Sequence, residues 1–226
     1  MESMIEQKER TQSPAELKSM RNDVASFMVH LTRNVENYGS SNNNLQNILN
    51  TKKIFAFNCK GMFYDIKDYW METKSVCFTE IPLTHIKFCL EMPGRDIKFE
   101  PYGLVFTREF LQARGANPVM YLNTYQSEEI KQAVADLVSR PELRSSIEKI
   151  VAYFDTFGKD HGEKIYDFYW EREWRLRGDM EFDYPDVLLG ICRDEDIDFF
   201  NEKYPIKFIS PFMSVEEIIR TLSRKK

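Results

Sequence analysis

The sequence predicts an α+β fold, a single domain with short mixed or antiparallel strands and flanking helices. Three observations predict it. Apolar runs of five or six residues recur (KIFAFN, SVCFT, YGLVF, PVMYL, VLLGIC), the length of buried strands rather than of helices. Longer segments with capping residues and helical spacing lie between them, without the strict alternation that builds a parallel sheet. The 226 residues are 42% hydrophobic and 14% aromatic, enough for one substantial core.

Taken in order, residues 1–13 are polar and charged and read as a mobile tail, and residues 14–226 as the domain. Ser13, Pro14 and Glu16 mark a helix start, with the helix running to about Asn22. Residues 27–33 (FMVHLTR) form a short buried strand carrying His30. Asn42 to Asn44 cap a helix over 45–50, whose apolar stripe is Leu45, Ile48 and Leu49. Strands follow at 53–58 and 75–79. Gly61 turns the chain between them, and Pro82 ends the second. Thr84 caps a helix to about Leu90, and residues 93–100 read as loop. A strand at 102–106 runs into a helix capped by Thr107, and residues 118–122 make another strand. Helices are expected from Ser127 to about Ser139 and from Pro141 to about Phe157, with a break at 158–162. A strand at 187–192, a helix at 194–204, a strand at 206–209 and a helix at 214–223 close the chain.

Several classes are excluded by what the sequence lacks. It has no Gly-rich phosphate loop, no GxSxG and no HExxH. The net charge of −5 gives no global signal for nucleic acid. No apolar run reaches the roughly 20 residues of a membrane span, and the polar start lacks a signal-peptide core, so the expected location is the cytoplasm. Cys59, Cys77, Cys89 and Cys192 form no CxxC pair and have no His at zinc-ligand spacing; they read as reduced, mostly buried thiols, and no metal site is expected.

The densest mixture of aromatics and charge is residues 166–177, YDFYWEREWRLR. As a strand over 170–177, it puts Trp170, Arg172, Trp174 and Leu176 on one face and Glu171, Glu173, Arg175 and Arg177 on the other. As a helix, it pairs Glu171 with Arg175 in an ordinary surface ion pair. Two further segments put polar groups where a core prefers none. They are His30-Leu31-Thr32, and Cys77-Phe78-Thr79-Glu80, where a carboxylate ends an apolar run. Each has a plain alternative: a hydrogen-bonded core histidine, a β-branched strand residue, a surface acid.

HLTR, NLQNIL, CFTEIPL, YGLVF, GANPVMYL and EREWR, in that order over residues 29–177, resemble the AbiGi-like family of bacterial abortive-infection proteins. CFTEIPL and EREWR are the more specific parts. The order also resembles ADP-ribosyltransferases, with their strand bearing His-x-Thr and late strand bearing Glu-x-Glu. That resemblance implies an ADP-ribosyltransferase-like fold of catalytic type and NAD as the substrate. It implies a role for Glu173, with Glu171 beside it, in stabilising the ribosyl cation. His30, Thr32, Arg33, Asn44, Thr79, Tyr102 and Arg175 would hold the NAD. Cleaving the nicotinamide–ribose bond develops an oxocarbenium-like centre, which a carboxylate stabilises. His and Thr fix the ligand's pose, and an arginine fork suits a pyrophosphate. His30, Thr79 or Glu80, and Glu173 would then converge on one cleft. The acceptor would be nucleic acid or protein, and the chain a toxin of a phage-defence or toxin–antitoxin system. The alternative is a non-catalytic antitoxin that binds a cognate toxin, in which the aromatic and charged stretch is an interface. A magnesium nuclease built on Glu80, Glu171 and Glu173 ranks last, because no Asp/Glu-x-Lys pair stands near them.

Overall fold

A computed structural model describes residues 25–35, 39–58, 73–92, 98–123, 129–159 and 165–223. The expected tail, the helix at 14–22, Cys59, Gly61 and Ser127 lie outside them. The fold is α+β in a single domain, organised by one mostly antiparallel sheet of strand order β13-β12-β5-β1-β4-β10-β6. These strands are β1 (Phe27–Leu31), β4 (Lys74–Thr79), β5 (Gly103–Thr107), β6 (Asn117–Pro118), β10 (Glu173–Arg177), β12 (Val187–Ile191) and β13 (Phe208–Ile209). β3 (Phe57–Asn58) also pairs with β4, and within this sheet β12 and β13 run parallel among the described residues. β2 (Lys53–Ile54) pairs with β11 (Met180–Glu181). A smaller sheet joins β7 (Met120–Asn123), β8 (Phe154–Lys159) and β9 (Ile165–Tyr166).

Alternation along the strands fixes the two faces of the main sheet. Met28, Val76, Phe78, Leu104, Phe106, Trp174 and Leu176 share one core cluster. It is closed by Leu45 and Leu49 of α1 (Ser41–Thr51), Leu111 of α3 (Arg108–Ala113) and Phe200 of α6 (Ile197–Lys203). Val29, Leu31, Val105, Leu189 and Ile191 line the other face, with Ile86 and Cys89 of α2 (Ile86–Glu91). α4 (Glu129–Val138) and α5 (Arg144–Ile147) form, with the turn at Val151–Tyr153, a separate small cluster of Val138, Ile147 and Val151. A last helix, α7, spans Val215–Ser223.

Several expected elements shift, each for a local reason. Ser40, not Asn42 to Asn44, caps α1, and its hydroxyl accepts from the Asn43 amide. The Thr107 cap is as expected, accepting from the Phe110 amide. The run PVMYL splits. Pro118 ends the edge strand β6, where its missing N–H costs nothing, and β7 joins the other sheet. The helix expected over 141–157 breaks after Ile147, and residues 154–159 extend as β8. Gly158 within β8 has φ of 137°, a conformation that suits glycine. Leu188 was expected in the core and is 44% exposed, because a bulge between Val187 and Leu189 turns it outward. Cys77, Val119 and Tyr121, also expected in the core, are only half-buried.

Candidate functional site

The central stretch forms a strand only from Glu173. Tyr169 to Glu171 make a 3₁₀ turn, and Arg172 adopts the left-handed conformation at φ of 51°. Trp170, Glu171 and Arg172 therefore leave the expected strand alternation. Within β10 the alternation holds. Trp174 and Leu176 enter the core, and Glu173, Arg175 and Arg177 face the other way. Register pairs Glu173 with Thr79 and Arg175 with Cys77, so these four share a face.

Arg175 is 3% exposed. Its Nε donates to Glu173 Oε1 at 3.0 Å, and its Nη2 to Glu173 Oε2 at 2.9 Å and Asp155 Oδ2 at 2.6 Å. Its Nη1 donates to the carbonyls of Ala152 at 2.9 Å and Phe154 at 3.3 Å. These bonds match the five N–H donors a guanidinium has. The Tyr121 hydroxyl donates to Glu173 Oε2 at 3.3 Å, and the Cys77 thiol reaches the same carboxylate. Burial acts to raise the Glu173 carboxyl, but the charge and hydrogen bonds of Arg175, together with hydrogen bonds from Cys77 and Tyr121, outweigh it and hold Glu173 below the ordinary carboxylate range. Burial raises Asp155, against the pull of Arg175. Burial, then the charge of Glu173, raises the Tyr121 hydroxyl. The result is a closed ionic network that fastens β7 and β8 onto the sheet through Arg175.

The other residues nominated from sequence are spread over different sites. Thr79 Oγ1 donates to the Glu171 carbonyl at 2.6 Å, holding the 3₁₀ turn against β4. Glu80 accepts from Trp174 Nε1 at 2.8 Å and pairs with Arg108 of α3. Glu80 follows Thr79 in chain order and bonds Trp174, so it belongs to the Trp174 side, across the sheet from Glu173. Glu80, Glu171 and Glu173 do not meet, and no cluster of metal-binding type is found among the described residues. Thr32, Arg33, Asn44 and Tyr102 do come together, at the junction of β1 and α1. Thr32 Oγ1 donates to the carbonyls of Ser41 and Tyr102, each at 3.0 Å, and Asn44 Nδ2 donates to the Arg33 carbonyl at 2.9 Å. The Tyr102 hydroxyl donates to Asp196 Oδ2 at 2.5 Å. It is pushed up to about 12 by burial and then by that bond. The Tyr102 ring belongs to the core on the Met28 side.

His30 also lies on that side. Its neighbour Val29 pairs with Thr79, which pairs with Glu173, so alternation turns His30 to the opposite face from Glu173. The expected convergence of His30 and Glu173 on one cleft is therefore corrected. His30 Nδ1 bonds the Cys77 carbonyl at 2.9 Å, and its ring meets Phe78 edge-on at 5.9 Å. β1 pairs with β4 at Thr79 and β3 pairs with it at Ser75 and Lys74, so the imidazole serves a carbonyl between the two pairings. His30 is thus a half-buried, hydrogen-bonded histidine, in keeping with the plain alternative.

Burial lowers the His30 pKa below its ordinary 6.5, against the opposing pull of the Cys77 carbonyl. The folded state then binds fewer protons than the unfolded state just below pH 6.5. Stability is complete above that value and declines as pH falls toward the folded pKa. His30→Asn, which keeps a donor near the Nδ1 position, is expected to flatten this part of the stability curve. Melting temperatures from pH 7.5 down to about pH 5 check it.

Asp155 and Tyr121 are the members of the network that sequence reasoning missed. Asp155 fell inside an expected helix. The aromatic spacing of FDTFG with β-branched Thr156 was the available signal for a strand. Two clefts among the described residues lie elsewhere. One of about 530 Å³ separates α6 and α7, and one of about 180 Å³ lies between α2 and α7.

The model of the family described as abortive phage resistance protein AbiGi, antitoxin, matches residues 53–195, more than half of the chain. The span includes Thr79, Tyr102, Glu171, Glu173 and Arg175, and excludes His30, Thr32, Arg33 and Asn44. No curated protein and no solved structure matches the chain. No helix among the described residues is long and apolar enough to cross a membrane.

Proposed function

The chain belongs to the AbiGi family of abortive phage resistance antitoxins, and from that membership we propose that it acts by binding and restraining a cognate toxin. One observation carries this, the family match across 53–195, which takes in both CFTEIPL and EREWR. The geometry supports a binding role over a catalytic one. In the NAD-consuming ADP-ribosyltransferase alternative, Glu173 with Glu171 stabilises a ribosyl cation, and Arg175 with His30 holds NAD for transfer to nucleic acid or protein. Arg175 would first have to release Glu173, Asp155 and two carbonyls, and His30 would have to act from the other face of the sheet. In the antitoxin role the same stretch is a frame, holding the outer surface in a fixed shape for the partner.

Four readouts test it. Co-expression with the cognate toxin is expected to relieve the growth arrest that the toxin causes alone, and the two chains should co-elute. Expression of this chain alone should be harmless; growth arrest by it would contradict the proposal. NAD should leave its melting temperature unchanged. A ligand at a hundred times its Kd adds about 2.7 kcal/mol, or a rise of about 5–10 °C at this chain length.

A further inference from the structure

Residues 120–166 form a lobe with a core of its own. Val138, Ile147 and Val151 make one cluster, with Val134, Leu143 and Phe154 packed on it, and it is separate from both clusters of the main sheet. Among the described residues of β7 and β8, Gly158 is the one that is buried. In β1 and β5, by contrast, Met28, Val29, Leu104, Val105 and Phe106 are at most 1% exposed. The lobe therefore draws little on the apolar packing that holds the main sheet.

The bonds that tie the lobe to β10 are ionic and polar. Arg175 reaches Asp155 at 2.6 Å and the carbonyls of Ala152 and Phe154, and Tyr121 reaches Glu173. The Tyr153 hydroxyl adds a bond to the Gly115 carbonyl at 3.2 Å. Charges that separate into water recover their hydration, so such a seam opens at a smaller net cost than an apolar one. The chain also enters and leaves the lobe at narrow points. Val119 is the one residue between β6 and β7, and its amide donates to the Glu173 carbonyl at 2.9 Å. The way out is the 3₁₀ turn of Tyr169–Glu171, followed by Arg172 in the left-handed conformation, which costs energy in a residue with a side chain. Short points at element ends are where hinge motion is absorbed.

We propose that residues 120–166 open as one unit about Val119 and Arg172 while the main sheet stays folded, with the Arg175 network as the latch. The lobe's own cluster travels with it and is not lost on opening. A contiguous unit with few buried apolar contacts belongs to the low-energy end of native-state opening. The lobe lies within the family-matched span, but the proposal does not depend on the toxin-binding role.

Hydrogen exchange of the full chain tests it. Amides of β7, β8 and α4 are expected to share one protection factor, at least about tenfold below that of the β1–β5 ladder. Two variants separate a hinged lobe from a chain that opens all at once. Ile191→Val trims the core of the main sheet, where Ile191 is 1% exposed. It should speed exchange of the β1–β5 amides, through global unfolding, by about two- to tenfold. It should leave the lobe amides unchanged, because Ile191 stays packed when the lobe opens. Asp155→Asn weakens the latch and should speed the lobe amides by about tenfold or more. Lobe amides as well protected as those of β1 and β5, or without a shared factor, would overturn the proposal. So would lobe amides that Ile191→Val speeds as much as those of β5, since the chain would then open as a single unit. An Asp155→Asn lobe that exchanges at the wild-type rate would overturn it too, because the network would not be the latch.

Discussion

Arg175→Met is expected to be among the most destabilising substitutions in this chain, costing about 3–5 kcal/mol. Methionine fills much of the same volume but leaves Glu173 and Asp155 facing each other in a site that excludes most water. Glu173 then loses the cation that holds its carboxylate ionised. Asp155, already raised by burial, loses its counterweight. The carbonyls of Ala152 and Phe154 lose their donors, which loosens the start of β8. A buried ionic group removed as a whole costs much less than one partner removed alone. Glu173→Leu and Asp155→Leu added to Arg175→Met should therefore recover part of the loss. Urea denaturation of the single and triple variants decides it: a triple variant no more stable than Arg175→Met would mean that the charges themselves are not the source of the cost.

Phe106→Ala is expected to cost about 3–5 kcal/mol as well, by a different mechanism. Phe106 has no exposed surface. It stacks on Phe110 at 5.5 Å and meets Phe78 and Phe182 edge-on at 6.1 Å and 5.5 Å. Alanine leaves a cavity at the centre of the larger core, and rings held on a strand (Phe78), on α3 (Phe110) and after β11 (Phe182) cannot readily collapse to fill it. The melting temperature should fall by about 6–20 °C. A fall of only one or two degrees would mean that the core repacks around the site.

The two substitutions also separate what the sequence could reveal from what it could not. Strand β5 was legible because Leu104, Val105 and Phe106 form an apolar run that only a sheet buried on both faces accommodates. The Thr107 cap and the turn at Pro82 follow from local chemistry and were legible too. Leu188 was not, because a bulge reverses its direction and no neighbouring residue announces it. The family resemblance was readable because it rests on contiguous motifs. The grouping of site residues was less so. Glu173 and Arg175 are neighbours in one strand, but Asp155 joins them from 20 residues away and Tyr121 from 52. Whether His30 lies with Glu173 depends on the parity of two strand registers, and a one-residue slip would reverse it. Thr32, Asn44 and Tyr102 were noticed for residue types that bind ligands. The same types also tie turns, and here they bond carbonyls and Asp196 at the β1–α1 junction.

The most direct measurement is the melting temperature of Glu173→Gln, read beside the consumption of labelled NAD by the wild-type chain. If Glu173 belongs to a structural network, losing its charge leaves Asp155 as the carboxylate that Arg175 still pairs with there. A hydrogen bond to a charged group contributes about 1.5–3 kcal/mol, so the melting temperature should drop by about 3–12 °C. The wild-type chain should consume no NAD. A Glu173→Gln variant that melts like the wild type, together with NAD consumption by the wild type that the variant abolishes, would contradict the account and return Glu173 to a catalytic role.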